Sequence, residues 1–176
     1  MVSLGQGSLP KVVLDCDNGC IYNKCMDNQK ARRAIDTIAR DCIAVRLRLL
    51  NRVVSKLYDD ALRPLGLKVS QLNILVVAAK LGLARPAAVC DILQLDTSTL
   101  SRNVERMRAR GWLEVIPGED ARMQPFRLTA QGENLLGRAV PAWEAAQSQA
   151  TKVLGAEGTA LLTKVGSRLR GPQANT

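Results

Sequence analysis

STLSRNVERMRARGWLEVIPGEDARMQPFRLTAQG, residues Ser98 to Gly132, is the stretch on which the fold turns. Leu100, Val104 and Met107 recur at helical spacing and predict the core-facing side of a short helix. Ser98, Ser101, Arg102 and Arg106 fall on the opposite, solvent side. Gly111 stands where a helix C-terminus favours a residue free to adopt positive φ. Trp112 to Ile116 predicts a short strand, Pro117-Gly118 a turn, and Phe126-Arg127-Leu128 the returning strand. Thr129, ahead of Ala130-Gln131-Gly132-Glu133, is the expected N-cap of the next helix. A helix with small polar and Arg residues outward, followed by an Arg-tipped hairpin, reads as a winged helix-turn-helix, mainly α with a small β wing. Such a unit places its helix in a major groove and its hairpin against the backbone or an adjacent minor groove.

Outward from that stretch the pattern stays helical. Arg85-Pro86 predicts the start of AAVCDILQL, the first helix of the helix-turn-helix, with Pro in its first turn. Leu95-Asp96-Thr97 forms the turn, and Asp96, Thr97 or Ser98 caps the recognition helix. Ser70 is the expected cap of QLNILVVAAKLG, apolar almost all round and therefore central, and Cys90 is expected as a small core residue. From Gln29 to Leu62 a long helix is predicted, broken by Arg63-Pro64. Its residues Ile43, Leu47, Leu50, Val54, Leu57 and Ala61 form one apolar stripe, and Val45, Leu49 and Val53 a second. Two stripes exceed what a surface helix needs, which leaves deep burial in one subunit or burial against a second. After the hairpin, helices are expected over 130–150 and 157–169, with Pro141 kinking or dividing the first.

The chain of 176 residues suits one domain, and its net charge of +9 favours polyanionic partners, nucleic acid first. No apolar run approaches membrane-spanning length and no signal-peptide core is visible, so a cytoplasmic protein without a membrane partner is expected. Histidine is absent, which removes the commonest general base and a favoured metal ligand. With no phosphate loop and no Ser/His/Asp set, the sequence does not read as an enzyme.

STLSRNVERMRARGWLE, the pair Asp120-x-Arg122 and Leu128-Thr129-x-x-Gly132, in that order, resemble the MarR family of bacterial transcriptional regulators. The resemblance runs from about Asp41 to Leu162. It implies a homodimer built by the N- and C-terminal helices (29–62 and 130–170) around a winged helix-turn-helix at 70–128, all within one domain at 29–176. It further implies double-stranded DNA as the partner, and that Arg122 enters a minor groove while Asp120 holds it. Arg102 is the expected base reader, because its fork can address guanine O6 and N7 together. Ser98, Thr99 and Ser101 suit phosphates or thymine edges, and Arg106 a phosphate. Two copies about a two-fold axis would read an inverted-repeat operator.

Residues 1–28 read as an irregular arm holding three of the five cysteines, a departure from the family pattern. Cys16, Cys20, Cys25 and Cys42 match no recognised zinc or ferredoxin spacing. In a chain without histidine they are read as one metal or redox group. An iron–sulfur cluster is the first expectation, zinc the second, and redox disulfides such as Cys25–Cys42, with no cofactor, the third. Cys42, expected near a helix start beside Arg40 and Arg46, is the favoured reactive thiol. Two other readings stand beside this switch: release by a small aromatic ligand, and a DNA-binding or architectural module without a sensor. With five aromatic residues in the chain, an aromatic-lined pocket is expected to be hard to build.

Overall fold

In the computed structural model, which describes residues 20–117 and 124–169, helix α1 runs Cys20–Asp41 and α2 Ile43–Leu62. Residues 20–28, expected as part of an irregular arm, are helical, and the rest of that expected arm lies outside the described residues. Lys24, Met26, Gln29, Lys30, Ala31 and Arg32 are good helix formers, and their propensity extends the helix without an apolar face. The single helix expected over 29–62 is divided at Cys42. Even so, Cys42 N–H donates to the Ile38 carbonyl at 3.0 Å and Arg46 N–H to the Cys42 carbonyl at 3.4 Å. Cys42 thus sits in a nearly continuous ladder rather than at an open helix start.

The chain divides into two compact units, Met1–Arg48 and Leu49–Thr176. In the first, every described side chain from Asn28 onward is exposed except half-buried Cys42. The second holds the core. A 3-10 turn at Arg63–Leu65 follows α2, and Gly66 closes it at φ 65°. Then come α3 (Val69–Leu81), α4 (Pro86–Leu93), α5 (Thr97–Ala109), β1 (Leu113–Val115), β2 (Phe126–Leu128) and α6 (Ala130–Leu169). The first cap differs from expectation: Lys68, not Ser70, is the N-cap of α3. Asp59, ten residues back on α2, accepts the Val69 N–H at 2.8 Å, and the Gln71 side chain accepts the Lys68 N–H at 3.1 Å. A carboxylate already fixed on the preceding helix serves the first turn, so Ser70 need not.

α3 is the central helix, burying Leu72, Ile74, Leu75, Val77 and Ala78 against α4, β2 and α6. Leu100, Val104 and Met107 of α5 join this core as expected, with Leu62, Leu67, Val89, Leu113 and Phe126. Cys90 is half-buried and packs against it. β1 and β2 pair antiparallel in the register Leu113↔Leu128, Glu114↔Arg127 and Val115↔Phe126. The strand is shorter than the expected Trp112–Ile116. Ala84 adds an isolated antiparallel bridge to β2, exchanging backbone hydrogen bonds of 2.8 and 2.9 Å with Phe126. That bridge ties the hairpin's root to the α3–α4 connection.

α6 is divided at Gly155 (φ 69°, ψ 171°), a conformation only glycine takes readily, and Pro141 lies inside the helical run. The helical run is not divided at Pro141, whose fixed φ suits a helix. Gly137, whose carbonyl loses its usual partner, is exposed to water. At the other end Thr129 acts as the expected cap: its hydroxyl accepts the Gly132 N–H at 3.1 Å and donates to the Gly111 carbonyl at 2.5 Å. Gly132 lies so close to the Trp112 carbonyl that a Cβ there would overlap it. Gly132→Ala should therefore cost about 1–3 kcal/mol of stability through overpacking against backbone, read as a lowered melting temperature. Gly137→Ala, where a Cβ meets nothing within 4 Å, should not.

Candidate nucleic-acid interface

The helix-turn-helix is built from caps. Pro86 opens α4, and Gln94 ends it in the left-handed region (φ 51°, ψ 48°). This turns the chain so that Leu95 N–H still reaches the Cys90 carbonyl at 3.0 Å. Asp96 then caps α5. Its Oδ1 accepts the Thr99 N–H at 2.8 Å and the Ser98 hydroxyl at 2.6 Å, and its Oδ2 accepts the Thr99 hydroxyl at 2.8 Å. These donors, the Ser98 hydroxyl first, lower the Asp96 pKa to about 2. Of the three caps left open by the sequence, Asp96 is the one used.

α5 buries one side and presents the other. Leu100 and Met107 are essentially inaccessible, whereas Ser98, Ser101, Arg102 and Arg106 are exposed on one helix. Thr99 is half-buried. The Ser98 and Thr99 hydroxyls in the first turn give their hydrogens to Asp96, so toward a DNA partner they keep chiefly acceptor capacity. Arg102 Nε donates to the Ser98 carbonyl at 3.1 Å and its Nη2 to the Ser98 Oγ at 3.4 Å. The side chain is folded back along its own helix.

Two arginines of the same run are structural. Arg108 pairs with Glu105 at 3.1 Å. Arg110 donates to the Gly66 carbonyl and stands 4.9 Å from the centroid of the Trp112 ring. Arg106, expected to contact phosphate, is exposed on the same helix. Arg110 was legible only as a charge, because its partner Gly66 lies 44 residues away. In the hairpin, Arg127 pairs with Glu114 across the strands at 2.5 Å. Asp120 and Arg122 lie outside the described residues.

The cysteines separate. Cys20 and Cys25 lie on α1 and Cys42 just past its end. At 1.5 Å per residue, about 25 Å of helix stands between Cys25 and Cys42. A disulfide needs Cα atoms within about 7 Å, so the Cys25–Cys42 bond cannot form within one chain while α1 stands. Nor can one chain bring Cys20, Cys25 and Cys42 to a single metal. Cys16 lies outside the described residues.

A groove of about 510 Å³ opens between α3 and α6, apolar on Leu72, Val76, Leu136, Val140 and Trp143, with Asn73 and Lys80 at its edge. Trp143 is the one aromatic residue in its lining, which is otherwise mainly aliphatic. Among the described residues no single helix is long and apolar enough to cross a membrane.

Comparison with known proteins follows this geometry. The sequence pattern of the MarR family matches residues 65–123. Over 82 residues the chain is 28% identical to the HTH-type transcriptional regulator YwoH of Bacillus subtilis, a match covering 47% of this chain and 60% of that protein's length. The transcriptional regulator MOSR of M. tuberculosis, solved in complex with DNA, superposes with a TM-score of 0.62 at 32% identity, covering 73% of this chain and 96% of that one. A cysteine-to-serine mutant of E. coli MarR, solved with operator DNA, gives a TM-score of 0.66 over 76% of this chain and 96% of its own, at 21% identity.

Asp96 makes the recognition-helix cap dependent on pH. Its folded pKa is depressed, so its contribution is complete above the ordinary value of 3.8 and disappears as pH falls toward about 2. Melting curves of the parent and Asp96→Asn should differ at pH 5 and converge between pH 4 and 2.

Proposed function

Because the chain belongs to the MarR family of transcriptional regulators, we propose that it is a sequence-specific regulator that binds double-stranded DNA as a homodimer in the cytoplasm. One observation carries the reading: α5 is anchored by Leu100, Val104 and Met107 and offers Ser101, Arg102 and Arg106 outward from a capped helix start. That is the geometry of a helix that enters a major groove N-terminus first. Arg102 reads guanine, Arg106 contacts phosphate, and Ser98 and Thr99 accept rather than donate. From the sequence, Arg122 takes the minor groove with Asp120 beside it, and the operator is an inverted repeat.

The dimer reading rests on apolar residues the single chain leaves exposed. On α2 these are Ile43, Val45, Leu47, Leu49 and Val53, and on α6 Val153, Leu161, Leu162 and Val165. The deep burial within one subunit that two stripes allowed is not what this chain offers, and a second copy is the natural cover. Substituting Asp for Leu49 and for Leu161 should leave helical content intact while shifting light-scattering mass from dimer to monomer and abolishing operator binding. A parent that is monomeric at micromolar concentration, yet binds its operator, would refute the dimer.

The switch is assigned to the cysteines Cys16, Cys20 and Cys25, without Cys42 of the same chain. Three thiols offer an oxidisable set, or three ligands to an iron–sulfur cluster or zinc completed by a fourth ligand from elsewhere. Metal and inorganic-sulfide analysis of protein prepared without oxygen distinguishes these. A second reading has its own support: the α3–α6 groove lies within the range of small-ligand sites, and Lys80 at its edge suits a carboxylate.

An operator recovered by selection from random duplexes tests the core of the proposal. Arg102→Ala should weaken it by about 1–3 kcal/mol and flatten preference at one G·C pair, with parent affinity falling steeply as salt rises. Unchanged footprints for Arg102→Ala would remove the groove assignment.

A further inference from the structure

We infer that Asp96 is a positioning residue for base recognition, fixing the guanidinium of Arg102 through the hydroxyl of Ser98. The inference rests on the reading of Arg102 as the base-reading side chain.

An N-cap needs one acceptor for one backbone N–H, and Thr99 N–H at 2.8 Å meets that need. Asp96 does more. Its Oδ1 also takes the Ser98 hydroxyl hydrogen at 2.6 Å. A serine hydroxyl has one hydrogen and two lone pairs, so donation to Asp96 leaves Ser98 Oγ an acceptor. Arg102 Nη2 lies 3.4 Å from that oxygen, while its Nε donates to the Ser98 carbonyl at 3.1 Å. Polarised by the carboxylate, Oγ becomes a better acceptor for a cation.

The chemistry of the fork gives this relay a consequence. A guanidinium has two edges suited to bidentate recognition, one made by Nε and one Nη, the other by the two Nη atoms together. Ser98 occupies the first with its carbonyl and hydroxyl. The second edge, at the tip, remains open on an exposed residue. Arg102 is thereby held with its end-on edge outward before DNA arrives, and a long flexible side chain loses less freedom on binding. Without Asp96 the Ser98 hydroxyl is free to rotate and offer its hydrogen rather than its lone pair, and it ceases to select one edge of Arg102.

The experiment is a double-mutant cycle read on specificity. The probes are the selected operator duplex and the same duplex with the guanine opposite Arg102 changed to adenine. The readout is the ratio of the two Kd values at fixed salt. Asp96→Gly removes the acceptor of the Ser98 hydroxyl at a position where glycine is tolerated as a cap, and Ser98→Ala leaves both the cap and the Ser98 carbonyl in place. Each should reduce the parent's ratio by about 3- to 10-fold, the coupling expected within one hydrogen-bond network, and neither should change it further in an Arg102→Ala background. Ser98→Thr, which keeps the hydroxyl, should restore it. A cap role alone would weaken both duplexes equally in both backgrounds, leaving the ratio intact, and that result overturns the inference. Should Arg102→Ala itself leave the ratio unchanged, the base-reading assignment fails first and the inference with it. Ser98→Ala, which cannot uncap α5, keeps the test decisive if Asp96→Gly melts early.

Discussion

The first turn of α6 lies directly on the carbonyl of Trp112, and only a residue without a Cβ can stand at position 132. Around that contact Thr129 binds in both directions. Its hydroxyl holds the Gly111 carbonyl and the Gly132 N–H, and its own N–H donates to the Trp112 carbonyl at 3.2 Å. The exit of the recognition helix, the root of the wing and the start of the longest helix are thereby one block. Arg110 adds the turn after α2 by gripping the Gly66 carbonyl and covering the Trp112 ring. With the polar groups of this joint paired, its angle is specified by hydrogen bonds and by contact with backbone, neither of which deforms cheaply.

In the proposed dimer, that rigidity would help to fix the separation of the two recognition helices. α6 carries the Gly132 junction at one end and exposed Val153, Leu161 and Val165 farther along. In such a dimer, a change where α6 met its partner ahead of Gly155 would be passed to the wing and to α5 through a stiff joint. The groove between α3 and α6 lies beside this lever, lined in part by Leu136, Val140 and Trp143 of α6 itself. In the proposed dimer, a ligand seated there would act on the element that would set half-site spacing, a bias at one place with a readout at another. The reading surface is ordered in its own right, because the caps at Gln94 and Asp96 are local and independent of that lever.

The N-terminal cysteines illustrate how secondary structure limits chemistry. Clustered spacing suggests a common site, but helix is a spacer: it converts sequence separation into length at 1.5 Å per residue. Once α1 runs Cys20–Asp41, Cys42 belongs to a different neighbourhood from Cys20 and Cys25. It stands half-buried in a helical ladder instead of at an open N-terminus.

What the sequence determined by itself was whatever depends on neighbours within a few residues. Leu100, Val104 and Met107 announced the buried side of α5 by period alone. Thr129 and Asp96 were readable as caps, and the interruption between 150 and 157 was readable without its cause, Gly155. The tertiary structure decided the matters that need a distant partner. Asp59 replaces Ser70 at the start of α3, Arg110 leaves the basic face for Gly66, and Ala84 joins the hairpin through Phe126. Gly132 meets a carbonyl twenty residues upstream, where its missing side chain becomes a packing requirement. Pro141 lies inside the helical run without dividing it, and Gly137, whose carbonyl it leaves without its usual partner, is exposed. The division follows from range: helical period and capping are short-range and written in spacing, whereas an unpaired backbone group takes whichever donor or acceptor the folded chain brings within about 3 Å, and spacing carries no record of that.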